Sequence, residues 1–175
     1  MRIFVENLEA YNQGRIVGGW ISPLDYSEDD FIKEVKKLTK NADEVFIADF
    51  DNIKTDEYVN LRHYYHLLVD IQEMLKNNAI EMSVLTAYAY ENVSSSPSIS
   101  DWGNILDEVK NNFIGTYDTQ KEFAESIVEE TITNYENFPQ WLESHIDYES
   151  VLNDLRHDYI FVTDKACNTL VFHSN

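Results

Sequence analysis

The sequence predicts an α+β protein assembled from three small segments, and three observations predict it. Short β-branched and aromatic runs lie near both ends, apolar residues recur at helical spacing through the middle, and a serine run breaks the pattern between them. The chain has 175 residues, 43% of them hydrophobic and 13% aromatic. A disordered acidic chain is poor in aromatics, so this composition places the acidity on a folded surface.

The first segment, residues 1–54, reads as a small sheet with one helix. Arg2 to Val5 is a strand-like run, Tyr11-Asn12-Gln13-Gly14 is a turn signal, and Arg15 to Ile21 reads as a returning strand that Pro23 stops. Ser27-Glu28-Asp29-Asp30 resembles a capping box, and the helix behind it carries Phe31, Val35 and Leu38 on one face. Glu44 to Phe50 reads as a further strand. The second segment, residues 55–100, reads as helical. Leu61, Tyr64, Leu68, Ile71 and Leu75 line one side of a helix, with His63, His66, Asp70 and Glu73 opposite. A shorter helix is expected over Ile80 to Tyr90, and Ser94 to Ser98 reads as a linker. The third segment, residues 101–175, reads as α+β. Trp102, Ile105, Leu106, Val109 and Phe113 suggest one helix, and Thr119-Gln120-Lys121-Glu122 caps another. Glu136 to Leu155 is expected to be mostly helical with breaks near Pro139 and Asp147. Tyr159 to Thr163 and Thr169 to His173 read as two closing strands.

Charge bounds the function. There are 32 Asp and Glu against 13 Lys and Arg, a formal net charge of -19. Such a chain repels nucleic acid and anionic membrane, and attracts basic surfaces, which are often those that bind nucleic acid. Solubility alone, or a halophilic source, is the bland alternative. The last 65 residues hold 12 acids against three bases. There Glu122, Glu125 and Glu129 share a helical stripe, with Phe123 and Ile127 turned inward and only Lys121 near enough in sequence to relieve them. Like charges at this spacing repel by roughly a few tenths of a kcal/mol per pair. Duplex DNA carries one charge per about 1.7 Å of axis, so the net charge equals about 32 Å of duplex.

Catalytic chemistry has little to stand on. His63 and His66, three apart on one helix face with Asp70 and Glu73, could share a metal, but the Glu of a zinc-protease motif is missing. The expectation is no catalytic residue, no cofactor and no metal. The single cysteine, Cys167, excludes an intrachain disulfide, suits a reducing cytosol, and is expected to pack as a small apolar residue. The tryptophans Trp20, Trp102 and Trp141 are expected in cores or interfaces. The opening residues lack a signal-peptide pattern, and no stretch nears the 18 apolar residues of a membrane span, so a cytoplasmic location is expected.

Several stretches, in order, resemble the ArdA antirestriction family. Ile3-Phe4-Val5-Glu6-Asn7-Leu8 with Tyr11-Asn12, Gly14, Gly18 and Trp20 is similar to that family's start, and Phe46-Ile47-Ala48-Asp49-Phe50 to its next strand. Gly115-Thr116-Tyr117-Asp118-Thr119 through Phe123-Ala124-Glu125, then Ile146-Asp147-Tyr148-Glu149 and Tyr159-Ile160-Phe161-Val162, resemble its C-terminal part. The stretch 77–100 departs from the pattern. The resemblance implies three small domains (1–54, 55–100 and 101–175) in an elongated, curved arrangement. It implies a homodimer joined through the third domain, with Phe113, Ile114 and Tyr117 as candidates for the contact. It also implies mimicry of DNA, so that the protein occupies the DNA-binding groove of type I restriction-modification enzymes and protects mobile DNA. On that reading the partner-binding surface is Glu122, Glu125, Glu129, Glu130, Glu136, Glu143, Asp147, Glu149, Asp154 and Asp158. Carboxylates can take the charge-assisted hydrogen bonds that Lys and Arg give to phosphates, and phosphate contacts carry little sequence information. The alternative function is an acidic adaptor for another basic protein, such as a nucleoid protein or transcription factor.

Overall fold

The computed structural model describes residues 1–94, 96–133 and 138–174, apart from the side chains of Gln140 and Glu143. It has the predicted α+β class, with two small antiparallel sheets and helices around them. The chain divides into two compact units, residues 1–107 and 108–175.

The first unit begins with β1 (Ile3–Asn7), whose last residue caps a short helix, α1 (Leu8–Asn12), by accepting from the Ala10 N–H. The segment expected as a plain turn is thus the end of α1. Gly14 closes it at φ 73°, a left-handed conformation that glycine adopts without a Cβ penalty. The returning strand is shorter than expected: β2 spans Gly18–Ile21, and β3 spans Val45–Phe50. The sheet order is β2-β1-β3. One face carries Ile3, Val5, Ile21 and Ile47, all buried, toward α2 (Glu28–Leu38), which contributes Phe31 and Val35. Ser27 caps α2 by accepting from the Asp30 N–H at 3.3 Å, while its hydroxyl donates to the Asp30 carboxylate at 2.8 Å.

Three helices complete this unit: α3 (Leu61–Asn78), α4 (Met82–Asn92) and most of α5 (Ile99–Asn112). Asn60 caps α3, whose buried side holds Tyr64, Leu67, Leu68 and Ile71, while Leu61 and Leu75 are half-buried. His63, His66, Asp70 and Glu73 are exposed on the other side, as the periodicity predicts. The serine run is tied down rather than loose where it is described. The Ser96 hydroxyl donates to the Thr55 carbonyl at 3.0 Å, Pro97 is buried, and Ser98 and Asp101 exchange hydrogen bonds at the start of α5. Trp102 is fully buried in α5; Trp20 and Trp141 are exposed.

The second unit is built on β4 (Phe113–Tyr117), β5 (Tyr159–Thr163) and β6 (Thr169–His173), in the order β4-β6-β5. Here the sequence reading needs a correction. Phe113 does not continue the helix of Trp102, Ile105 and Val109 but opens β4, opposite Phe172 in β6. The β-branched and aromatic run Phe113-Ile114-Gly115-Thr116-Tyr117 prefers a ladder to another helical turn. Against this sheet lies α6 (Gln120–Thr133), with Phe123 and Ala124 fully buried and Ile127 half-buried. The Phe123 ring meets Tyr117, Tyr159 and Phe161 edge-on at 5.0–5.7 Å. A short helix, α7 (Gln140–Glu143), precedes α8 (Tyr148–Leu155), which packs on α6 through Leu152. Cys167, expected to be packed, is exposed at φ 68° in the β5–β6 turn. Asp164 organises that turn by accepting from the backbone N–H groups of Ala166 and Asn168, and this draws position 167 out to solvent.

Candidate functional site

The expected acidic surface falls mostly on two packed helices of the second unit. On α6, Glu122, Glu125, Glu129 and Glu130 are all exposed. They stand there because Phe123 and Ala124 fix the opposite side of the helix in the core, and a 3.6-residue period then turns positions 122, 125, 129 and 130 outward. Glu122 has a second role. Thr119 accepts from the Glu122 N–H at 3.1 Å, and the Glu122 carboxylate reaches back to the Asp118 N–H at 2.6 Å. A helix N-terminus favours negative charge, so this carboxylate is held at a fixed place rather than waving in solvent. Lys121 Nζ lies 3.4 Å from Glu125 and 6.0 Å from the Tyr148 ring. A shallow cleft along the outer face of α6 is lined by Ser126, Glu129, Glu130 and Thr133.

On the second helix, Asp147, Glu149 and Asp154 are exposed, and Asp158 follows them, also exposed. Asp147 caps α8. One carboxylate oxygen accepts from the Glu149 and Ser150 N–H groups at 3.1 and 3.2 Å, and the other accepts from the Ser150 hydroxyl at 2.8 Å. The Ser150 hydroxyl, joined by these backbone N–H groups, holds the Asp147 carboxyl below the usual carboxylate range, so it is a fixed negative charge at neutral pH. Arg156 turns to amides rather than acids: it donates to Asn153 at 2.9 Å and Gln120 at 3.0 Å. Two of the ten expected residues cannot be placed in this way. Glu136 lies outside the described residues, as does the side chain of Glu143.

The first unit treats its charges differently. Arg62 on α3 forks to Glu28 at 2.5 Å and Asp29 at 3.0 Å on α2, and His66 Nε2 is 3.3 Å from Glu28. Lys33 pairs with Asp30 and Lys37 with Glu34 along α2. His66, one of the two residues weighed as metal ligands, therefore sits in an interhelix charge cluster. Among the described residues, no group of three or more His, Cys, Asp or Glu is placed to hold a metal ion.

The three residues considered for a dimer contact lie on β4, an edge strand. Phe113 packs on Phe172 at 5.3 Å, Tyr117 on Phe123 at 5.1 Å, and Ile114 is half-buried. One acid of the same surface escaped the sequence reading. Asp118 is exposed just ahead of α6, four residues before Glu122. The signal was available, since 118, 122, 125 and 129 follow one helical spacing, but Asp118 stood in what read as a cap. Among the described residues, no helix is long and apolar enough to cross a membrane. A family model described as an antirestriction protein, ArdA, matches residues 3–169, nearly the whole chain. No curated protein matches the sequence.

Proposed function

Because the chain belongs to the ArdA family of antirestriction proteins, we propose that it acts as a mimic of DNA, binding in the DNA groove of a type I restriction-modification enzyme and blocking it competitively. The observation that carries this reading is the pair of packed helices, α6 and α8, whose carboxylates Glu122, Glu125, Glu129, Asp147, Glu149 and Asp154 all face solvent. Successive charges on the α6 stripe are three or four residues apart, or about 4.5–6 Å of helix axis. One DNA strand offers a phosphate every 3.4 Å or so. The stripe is thus a sparser row of anions than a strand, and a second row on α8 raises the density. Lys and Arg that position a duplex by its phosphates find acceptors here without any base to read.

The inhibition works by occupancy, with no bond made or broken by the inhibitor and no cofactor. Three small domains and a homodimer joined through β4 and its neighbours are part of the same proposal, as is action inside the cytoplasm. The dimer matters physically because it doubles the length of anionic surface that one partner meets.

The test is a displacement assay. A labelled duplex is bound to a purified type I methyltransferase complex, and the protein is titrated in at two salt concentrations. Displacement that weakens as salt rises is expected, since exposed charges are screened. A variant with Glu122, Glu125, Glu129, Glu149 and Asp154 changed to Gln or Asn should displace at least tenfold less well. Undiminished potency in that variant would sink the charge-surface assignment. No displacement by the unaltered protein, at concentrations well above the duplex, transfers the case to a different basic partner.

A further inference from the structure

One of the three tryptophans has no part in a core. Trp102 is fully buried, and Trp20, 43% exposed, is packed by Phe4 edge-on at 5.7 Å and by the Arg2 guanidinium 5.3 Å over its ring. Trp141 is 66% exposed. A scattered exposed leucine is ordinary, but tryptophan is on average a highly buried residue. The local structure holds Trp141 open. In α7 and the turn after it, Leu142 and Ile146, four residues apart, are half-buried, while Trp141, Ser144 and His145 face solvent. The His145 N–H donates to the Leu142 carbonyl at 2.9 Å, and the Ser144 hydroxyl donates to the Trp141 carbonyl at 3.1 Å. His145 Nδ1 lies 3.0 Å from that same carbonyl, and the imidazole stands nearly at right angles to the indole, 5.9 Å between centroids. The indole is thus steered by its neighbours and left uncovered.

We infer that Trp141 is the aromatic anchor of the acidic surface and that an arginine of the basic partner stacks on it. The ring lies in the more acidic unit. Asp147, which caps α8, is six residues on, so its Cα is at most about 22 Å away, and the intervening turn brings it nearer. Asp147 and Glu149 are exposed, as Trp141 is. Aromatic faces attract cations, tryptophan most strongly, and the attraction grows as water is excluded. Arginine suits the ring better than lysine, because its flat, weakly hydrated fork stacks while its N–H groups stay free for a carboxylate. The first unit shows that arrangement within this chain, with Arg2 over Trp20 while bonding Asp51 at 3.3 Å. Among the described residues no lysine or arginine covers Trp141, so the cation comes from another molecule. A second copy fits worse, because its own residues 108–175 bring 13 acids against four bases. The carboxylate rows attract at a distance and are screened by salt, whereas a stacked ring acts only at contact and slows dissociation. Tryptophan and arginine are also the residues that most often dominate binding energy at interfaces. The inference rests on the proposal that the partner is a basic DNA-binding enzyme, and it adds a contact that the charges alone do not supply.

The probe is the type I methyltransferase complex of the displacement assay. Side-chain oxidation by hydroxyl radicals, read by mass spectrometry, follows Trp141 in the protein alone and with the complex, with Trp20 as internal reference. Oxidation of Trp141 is expected to fall at least fivefold on binding while that of Trp20 stays unchanged. Trp141→Ala should displace the duplex at least tenfold less well through faster dissociation, with the salt dependence and the melting temperature unchanged. Trp141→Phe, which keeps a weaker ring, should fall between. If Trp141→Ala melts lower than the unaltered protein, the protection of Trp141 in the unaltered protein decides. Undiminished oxidation of Trp141 in the bound state, equal loss at both tryptophans, or full potency of Trp141→Ala overturns the inference and leaves the charge-surface proposal standing. No displacement by the unaltered protein overturns both. Protection of Trp141 that appears on concentrating the protein alone assigns the ring to a second copy and likewise overturns the inference.

Discussion

Gly18 is the residue at which the first sheet has the least room. A Cβ built there would lie 2.0 Å from the Val5 carbonyl oxygen and 2.9 Å from Glu6 Cα, both backbone atoms that cannot swing aside. The constraint is close approach of two strands rather than backbone conformation. Gly18→Ala should therefore separate β1 from β2 and destabilise the first unit by about 3 kcal/mol, the upper range of overpacking penalties. Urea denaturation followed by fluorescence checks this; an unchanged midpoint would mean that the strands part without loss. Gly14→Ala, with nothing within 4 Å of a new Cβ but φ at 73°, should be milder, since only left-handed strain opposes it. Asp147 shows a different single-residue effect, through protons. Hydrogen bonds from Ser150, joined by the Glu149 N–H, lower its folded pKa below that of the unfolded chain. The stabilisation it gives is then fully present above the unfolded value, near pH 4, and is lost as pH falls through the lowered folded value. Asp147→Asn should remove this acid-dependent part. Thermal melts at pH 5 and pH 3 should differ less in the variant than in the unaltered protein.

At the scale of elements, the segment after β3 is the point where the first unit is stitched. Four consecutive carbonyls each accept from a side chain. Asn52 takes the Tyr90 hydroxyl of α4, Ile53 the Tyr64 hydroxyl of α3 at 2.8 Å, Lys54 the Trp102 indole of α5 at 2.7 Å, and Thr55 the Ser96 hydroxyl at 3.0 Å. Burial pushes the Tyr64 phenol well above the ordinary tyrosine range, so it stays a donor wherever the fold survives. Tyr64→Phe keeps the ring and strands the Ile53 carbonyl, and should destabilise by about 1–2 kcal/mol. A fall in the denaturation midpoint with an unchanged slope is the expected signature. None of this stitching was legible in the sequence, where position 54 looked like a boundary, because hydrogen bonds to carbonyls leave no pattern in residue types. What periodicity does encode was readable: the buried side of α3, the capped starts of α2 and α6, and the closing strands β5 and β6. Two elements were missed for physical reasons. The five-residue α1 is too short to show a period, and β4 follows a helix whose apolar spacing, 102, 105, 109, runs on to Phe113 by coincidence. The acidic stripe of α6 was legible because a helix fixes which positions share a face.

Over the whole molecule, the two units share the charge unequally in kind. Residues 1–107 hold 19 acids and nine bases, and residues 108–175 hold 13 acids and four bases. The first unit spends many of its acids on partners, such as Glu28 and Asp29 with Arg62. In the second unit the α6 and α8 carboxylates are exposed, with Lys121 paired to Glu125, and repulsion among like charges three or four residues apart opposes folding. Raising NaCl from 10 mM to 100 mM shortens the screening length from about 30 Å to about 10 Å. That distance is comparable to the roughly 8–10 Å between the axes of packed helices, whereas hydrogen-bonded pairs at about 3 Å are screened far less. Added salt should therefore raise the melting temperature of the protein, and the rise should shrink in the five-residue charge variant. Salt should at the same time weaken displacement of DNA from the restriction enzyme. The opposite directions matter, because a protein that grows more stable while it inhibits less is losing attraction to its partner rather than its fold. A melting temperature that falls with salt would instead put the ion pairs of the first unit in control of stability, and the picture of self-repelling carboxylates on α6 and α8 would have to be given up.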